Sequence, residues 1–300
     1  MEKRDITFII PYFGATPRWM PVFLKSCHAN PDFTFLILSD VMPEGRRKNV
    51  KVVRMTLADL KVLASERLDM PVSLESPYKI CDLRPAFGII FEDYLKTSSF
   101  WGTCDVDMIL GNIRNFFPDE LLQNYDVVTA KREYLIGHFT LFRNIEKINR
   151  LFMQSADYRK IFWSPRSFAF DECNFLWWKL LAGESILETR SQIDSMSHVV
   201  SRLAAAGEIR AYFESHVLEQ DKWDEQGDLE ALSETLVWER GMLRDACTGR
   251  EYLSFHFHFL KKEPSFAIPA WTRIPGRFYI SEKGFFRKEP TRLPEFEALF

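Results

Sequence analysis

The chain has 300 residues, 46% of them hydrophobic, and 39 Lys and Arg stand against 42 Asp and Glu for a net charge of −3. So small an imbalance excludes nucleic-acid binding driven by a basic field. No apolar run reaches the roughly 18 residues of a membrane-spanning helix, and the run after the charged start MEKRD is too short for a signal peptide. Five widely spaced cysteines (Cys27, Cys81, Cys104, Cys173, Cys247) without a CxxC read as thiols of a reducing compartment, so the cytoplasm is the expected location.

The elements follow in chain order. ITFIIPYF (Ile6 to Phe13) is a β-branched and aromatic run closed by Gly14, a buried strand. TPRWMPVFLKSCHAN has helical spacing and stops at Asn30-Pro31. FTFLILSD (Phe33 to Asp40) and VKVVRMT (Val50 to Thr56) are further strands, and LADLKVLASERLD is a helix. ICDLRPAFGIIFEDYLKTS is helical apart from Pro85; FWGTCDVDMIL is expected as one strand and YDVVTAKR (Tyr125 to Arg132) as another. Such alternation predicts an α/β fold with a mostly parallel sheet flanked by helices. Ligands of these sheets bind beyond the carboxyl ends of the strands, where Tyr12, Phe13, Gly14, Asp40 and Asp107 fall. In the second half DECNFLWWKLLA (Asp171 to Ala182) reads as a helix, and the stretch around Gly241 and Gly249 as antiparallel strands.

Four constellations carry candidate chemistry. Asp105 and Asp107 lie one residue apart in an apolar run; on a strand both face one side, and converging carboxylates suit Mg²⁺ or Mn²⁺. In SFHFHFLKK, His256 and His258 alternate with phenylalanines, so either imidazole could complete such a site, and Lys261 and Lys262 could face phosphate. Lys79, Asp82 and Arg84 fall within about a turn and a half of helix, as a phosphate or sugar clamp or as an exposed salt-bridged face. Gly137 and His138 open a short strand, and Asp171 and Glu172 stand where acids either cap a helix or take a proton from an attacking hydroxyl.

The series IIPYFG, LSD, YKICDLRPAFG, FWGTCDVDMILGNI, GHFTLFRN, FDE and HFHFLKK resembles glycosyltransferases of the A-type fold over roughly residues 5–262. It is most similar to a group of small bacterial glycosyltransferase-like proteins, and more distantly to transferases with an aspartate-any-aspartate motif. The resemblance implies a single catalytic domain over 1–263, its nucleotide-sugar half about 1–130 and its acceptor half about 131–263, followed by an aromatic and basic tail over 264–300. It places Pro11, Tyr12, Phe13, Gly14 and Asp40 by the base and ribose of a donor, most simply a uridine diphosphate sugar. Lys79, Asp82, Arg84 and Lys261 go to the diphosphate or sugar, Asp105 to ribose or metal, and Asp107 with His256 or His258 to Mn²⁺ or Mg²⁺. Gly137 and His138 fall by the acceptor and Asp171 or Glu172 by the reacting centre.

The implied activity is metal-dependent, hexosyltransferase-type transfer of a sugar to a hydroxyl, with a carbohydrate or glycolipid acceptor, in surface polysaccharide or glycoconjugate synthesis. The anomeric outcome stays open. A metal-dependent nucleotidyltransferase would use a similar sheet and acidic pair, but with a Gly-rich phosphate loop where PYFGATPRW offers only Gly14. A non-catalytic carbohydrate- or partner-binding domain would need no convergent metal site. The tail IPAWTRIPGRFYISEKGFFRK either packs on the domain or rests peripherally on the inner membrane face.

Overall fold

Ile6–Pro11 (β1) and Phe33–Ser39 (β2) are apolar on both faces, so each must be covered twice. The computed structural model describes residues 5–41, 48–219, 235–271 and 273–288. In it β1 lies between β2 and Phe100–Thr103 (β4), parallel to both, and Val50–Arg54 (β3) adds to the far side of β2. Beyond β4 come Val127–Thr129 (β6), Thr140–Arg143 (β7) and Ala211–Phe213 (β8), giving a seven-stranded sheet ordered β3-β2-β1-β4-β7-β6-β8. Only β7 runs against its neighbours. Side-chain alternation sends Ile9, Leu36 and Leu38 to one face, against the helices Leu57–Leu68 and Met196–Ala205. Phe8, Ile10, Phe35 and Ile37 go to the other face, against the helix Met20–His28. The fold is α/β, a large, mostly parallel sheet flanked by helices, with antiparallel strands in the C-terminal half.

A second sheet is wholly antiparallel. Leu236–Glu239 (β10), Met242–Asp245 (β11), Glu251–Tyr252 (β12), Arg277–Ser281 (β14) and Gly284–Phe286 (β15) take the order β12-β11-β10-β14-β15. Trp238 stacks on Phe278 with ring centroids 5.1 Å apart, and its indole N–H donates to Leu110 O at 2.9 Å. The described residues after Pro264 thus contribute two strands and the rings of Phe278 and Phe285 to a buried cluster.

The third sheet sets the site. Met108–Leu110 (β5), Ser254–His256 (β13) and Val217–Glu219 (β9) pair as β5-β13-β9. FWGTCDVDMIL is therefore two strands in two sheets rather than one: β4 ends at Thr103, β5 starts at Met108, and the two aspartates occupy the crossing between them.

Two other segments depart from their sequence reading. Of 171–182 only Trp177–Leu181 is helical; Asn174 and Phe175 before it have φ of 56° and 61°, which breaks the helix. Lys79 and Asp82 do not form an exposed face. They are a buried pair, 1% and 0% exposed, with Nζ 2.8 Å from the Asp82 carboxylate. Lys79 also donates to Ile161 O at 2.8 Å and Arg166 O at 2.6 Å, and Asp82 accepts from the backbone N–H of Phe168 and Phe170. Every charge-bearing atom has a partner, so the pair staples the chain before Asp171 to the core. Asp82→Ala strands the Lys79 ammonium and orphans both N–H groups, and it is expected to lower the unfolding free energy by about 3–5 kcal/mol in urea titration.

Candidate functional site

Asp107 is 4% exposed, and a buried carboxylate needs partners. Register supplies them. Phe257 N donates to Asp107 O at 3.1 Å, and β5 pairs with β13 so that Met108 lies opposite His256. Nε2 of His256 is 3.6 Å and Nδ1 of His258 3.5 Å from Asp107 Oδ2, and the Lys261 ammonium donates to the same oxygen. β13 ends at His256, so His258 reaches Asp107 from a turn and Lys261 from the short helix Leu260–Lys262. Burial opposes ionisation of Asp107, but the two imidazoles and Lys261 outweigh it and hold its pKa well below the usual carboxylate range. Burial likewise opposes protonation of His256, yet Asp107 on one side and Glu219 on the other push its pKa up to about 10.

Asp105 takes a different partner. Its carboxylate accepts from Nη2 of Arg84, whose Nη1 donates to Asp171 Oδ2 at 3.0 Å. The two aspartates therefore do not converge as strand neighbours, because each is neutralised by a different cationic group. Among the described residues, Asp107 with His256 and His258 offers ligand atoms all within 4.8 Å of one another, as does His138 with Glu219 and His256; Asp105 belongs to neither set. His256 Nε2 is buried without a hydrogen bond, so a carboxylate and two imidazoles fit a divalent cation there.

Asp171 and Glu172 sit side by side but differ in use. Glu172 has both oxygens engaged, accepting from Gly137 N at 2.9 Å and from the Trp177 indole at 2.6 Å. Asp171 faces Arg84, and burial together with neighbouring carboxylates raises its pKa well above the usual value despite that cation. The preceding loop carries Ala169 at φ 48°, a left-handed non-glycine residue costing on the order of 1–3 kcal/mol. The backbone bonds to Asp82 hold it there.

The ends of β1 and β2 meet in the expected corner. Gly14, at φ 103°, donates its N–H to Asp40 Oδ1 at 2.9 Å, and Tyr12 OH donates to Ala15 O at 2.9 Å. Burial and the nearby charges of Asp107 and Asp40 raise the Tyr12 pKa, which puts this corner within electrostatic reach of the carboxylate–histidine cluster. Phe13 is buried in the core and Pro11 closes β1.

A cavity of about 680 Å³ opens beside the cluster, reached by His256 and His258 but not lined by Asp107 or Lys261. Arg84, Asp105, His138, Asp171, His256 and His258 supply its polar wall, and Tyr78, Tyr134, Phe175, Trp177, Trp178 and Phe259 its aromatic one. Glu219 also lines it and was not foreseen. HVLEQD carries no chemical spacing, and only its pairing with β13 places Glu219 opposite His256. Nor was the aromatic wall assigned, since nothing in WWK separates a rim from a core stripe. Lys79 and Asp82 lie outside the cavity, beneath the loop, and Pro11, Tyr12, Phe13, Gly14, Asp40 and Gly137 do not line it either.

The chain belongs to the family of unknown function DUF6625, whose model matches residues 8–289. No curated protein matches it. Among solved structures it is similar to galactosyltransferase LgtC in complex with donor and acceptor sugar analogues, at 12% identity and TM-score 0.35 over 57% of this chain and 71% of that one. It is similar to mouse xyloside xylosyltransferase 1 in its apo form, at 13% identity and TM-score 0.45 over 87% of this chain and 100% of that one. An active-site mutant of LgtC gives 13% identity and TM-score 0.38, covering 65% and 83%.

Gly137 is fixed by space. A Cβ there would collide with the Asp171 carboxylate and lie 2.5 Å from Arg84 Nη1. Gly137→Ala is expected to cost about 1–3 kcal/mol in denaturant unfolding by forcing the Arg84–Asp171 pair apart. At Gly14 a Cβ meets nothing within 4 Å, so Gly14→Ala carries only the backbone penalty of about 1–2 kcal/mol.

Proposed function

We propose that the protein is a glycosyltransferase moving a sugar from a nucleoside diphosphate sugar to a hydroxyl of a carbohydrate or glycolipid. The observation that carries this reading is the buried Asp107 ringed by His256, His258 and Lys261, its two histidines lining an aromatic-walled cavity, beyond the carboxyl ends of a mostly parallel sheet. Two imidazoles beside the carboxylate favour Mn²⁺ over Mg²⁺. Bound between them, the divalent cation would neutralise charge growing on a departing diphosphate.

The chain's own groups fill the remaining roles. The corner from Pro11 to Gly14, with Asp40, takes the nucleoside, a uridine in the simplest case. Lys261 offers a fixed positive charge on the diphosphate side, and Arg84, braced by Asp105 and Asp171, faces the transferred sugar. Gly137 and His138 border the acceptor. Of the two neighbouring acids Glu172 is a brace, so in an inverting reaction Asp171 would accept the acceptor hydroxyl's proton. The donor half then spans about 1–130 and the acceptor half about 131–263, with the described strands beyond 264 completing the antiparallel sheet. Surface polysaccharide or glycoconjugate synthesis on the cytoplasmic side of a membrane accords with such an acceptor, and no described helix is long and apolar enough to cross a membrane.

Asp107→Asn should leave the circular dichroism spectrum unchanged yet lower Mn²⁺-dependent hydrolysis of a uridine diphosphate sugar by more than the 10–100-fold that loss of an outer metal partner costs; undiminished hydrolysis removes the metal role. Calorimetry with a nucleotide sugar and with a nucleoside triphosphate tests the reaction class. Tighter binding of the sugar nucleotide is expected, and preference for the triphosphate would favour nucleotidyl transfer.

A further inference from the structure

His138 is 4% exposed, and its Nε2 is buried without a hydrogen-bond partner. An unsatisfied buried polar group costs about 1–3 kcal/mol. That nitrogen points at Glu219, with Oε2 3.5 Å away, and the same oxygen is 3.4 Å from Nδ1 of His256. Both separations exceed the 2.7–3.2 Å usual for N–H···O bonds. Glu219 is held from its other side, where Oε1 accepts from Lys131. The two imidazole rings stand 4.0 Å apart, tilted by 33°.

The two contacts to Glu219 also fall at the spacing of ligand atoms around one ion. Bonds of about 2.0–2.2 Å in a tetrahedron set neighbouring ligand atoms about 3.3–3.6 Å apart, whereas the adjacent ligands of an octahedral Mg²⁺ site lie about 2.9 Å apart. The observed 3.4 and 3.5 Å match the tetrahedral edge. Two imidazole nitrogens and one carboxylate oxygen are a donor set suited to Zn²⁺, with the fourth position open. All three residues line the cavity, which gives an ion its way in.

We infer that His138, Glu219 and His256 form a second divalent-cation site, of the four-coordinate kind that takes Zn²⁺, separate from the one at Asp107. It stands whether or not the protein transfers sugars. The two sites share one ring: His256 turns Nε2 to Asp107 and Nδ1 to Glu219. Two dications on opposite nitrogens of one ring repel each other, so the two ions compete. Zn²⁺ on the His138 side then acts as a brake on whatever ion Asp107 holds.

Co²⁺, whose tetrahedral complexes absorb strongly in the visible, is the probe. In full-length chain with Asp107→Asn and His258→Ala together, one Co²⁺ should bind with tetrahedral bands, and adding His138→Ala should weaken that binding at least tenfold. Equal binding by the two proteins, or no tetrahedral band in the first, overturns the inference. Should the double variant not fold, the comparison moves to the otherwise native chain. Zn²⁺ should then release bound Mn²⁺, followed by the electron paramagnetic resonance of the free ion, at tenfold or more lower concentration than in His138→Ala. Release that the variant leaves unchanged overturns it too.

Discussion

The site depends on keeping Asp107 ionised while burying it. A lone carboxylate withdrawn from water would take up a proton. Here it is surrounded by three nitrogen-bearing groups from one late segment, His256, His258 and Lys261. No local element could assemble them, since they lie far along the chain from Asp107. The small sheet β5-β13-β9 exists at this point to do so: its hydrogen bonds fix Met108 opposite His256 and His256 opposite Glu219. The indole of Trp238 then ties β5 to the antiparallel sheet through Leu110 O. A slip of one residue in β13 would turn His256 away from both carboxylates and bring a phenylalanine in its place.

The same constraint organises the other charges. Arg84 divides itself between Asp105 and Asp171, Lys79 is matched to Asp82, and Lys131 to Glu219. Each cation is held where a carboxylate would otherwise be stranded. The pairs are not interchangeable. Lys79–Asp82 is sealed from solvent and carries the loop of Ala169 to Asp171, whereas Arg84 opens on the cavity. A buried pair of the first kind is weak evidence for net stabilisation. Its value here is positional, because the loop it holds has a left-handed alanine that would relax if released.

Much of this was legible from local signals. β1, β2 and β3 announced themselves as apolar runs, and Gly14 and Asp40 stand at the ends of β1 and β2, where the strand alternation put them. The alternation in SFHFHF separated the phenylalanines, of which Phe255 and Phe257 enter the core, from the histidines that reach Asp107. What misled was the assumption of local continuity. Asp105 and Asp107 look like strand neighbours, but the chain leaves one sheet and enters another between Thr103 and Met108. Lys79 and Asp82 look like a surface pair because i,i+3 charges usually are; burial is set by the helix Tyr158–Trp163 and the loop after it, which local sequence cannot place. Glu219 was invisible for the same reason, being defined wholly by a strand partner.

The cavity's two walls differ in rigidity, and that difference has a physical cause. The polar wall is over-determined: Glu172 is bonded at both oxygens, Gly137 admits no Cβ, and the Asp82 staple fixes the strained loop behind them. The aromatic wall is only partly tied in. Trp177 bonds Glu172 and Tyr134 is buried, whereas Trp178 is 64% and Tyr78 57% exposed. Electrostatic stabilisation needs fixed dipoles, because a group that must reorient during reaction forfeits much of its effect. Recognition of a ring's apolar face needs only area, which an exposed indole presents in several orientations at little cost. The fold thus concentrates its bonding on the charged side of the cavity and leaves Trp178 and Tyr78, on the side facing solvent, the least restrained of its lining.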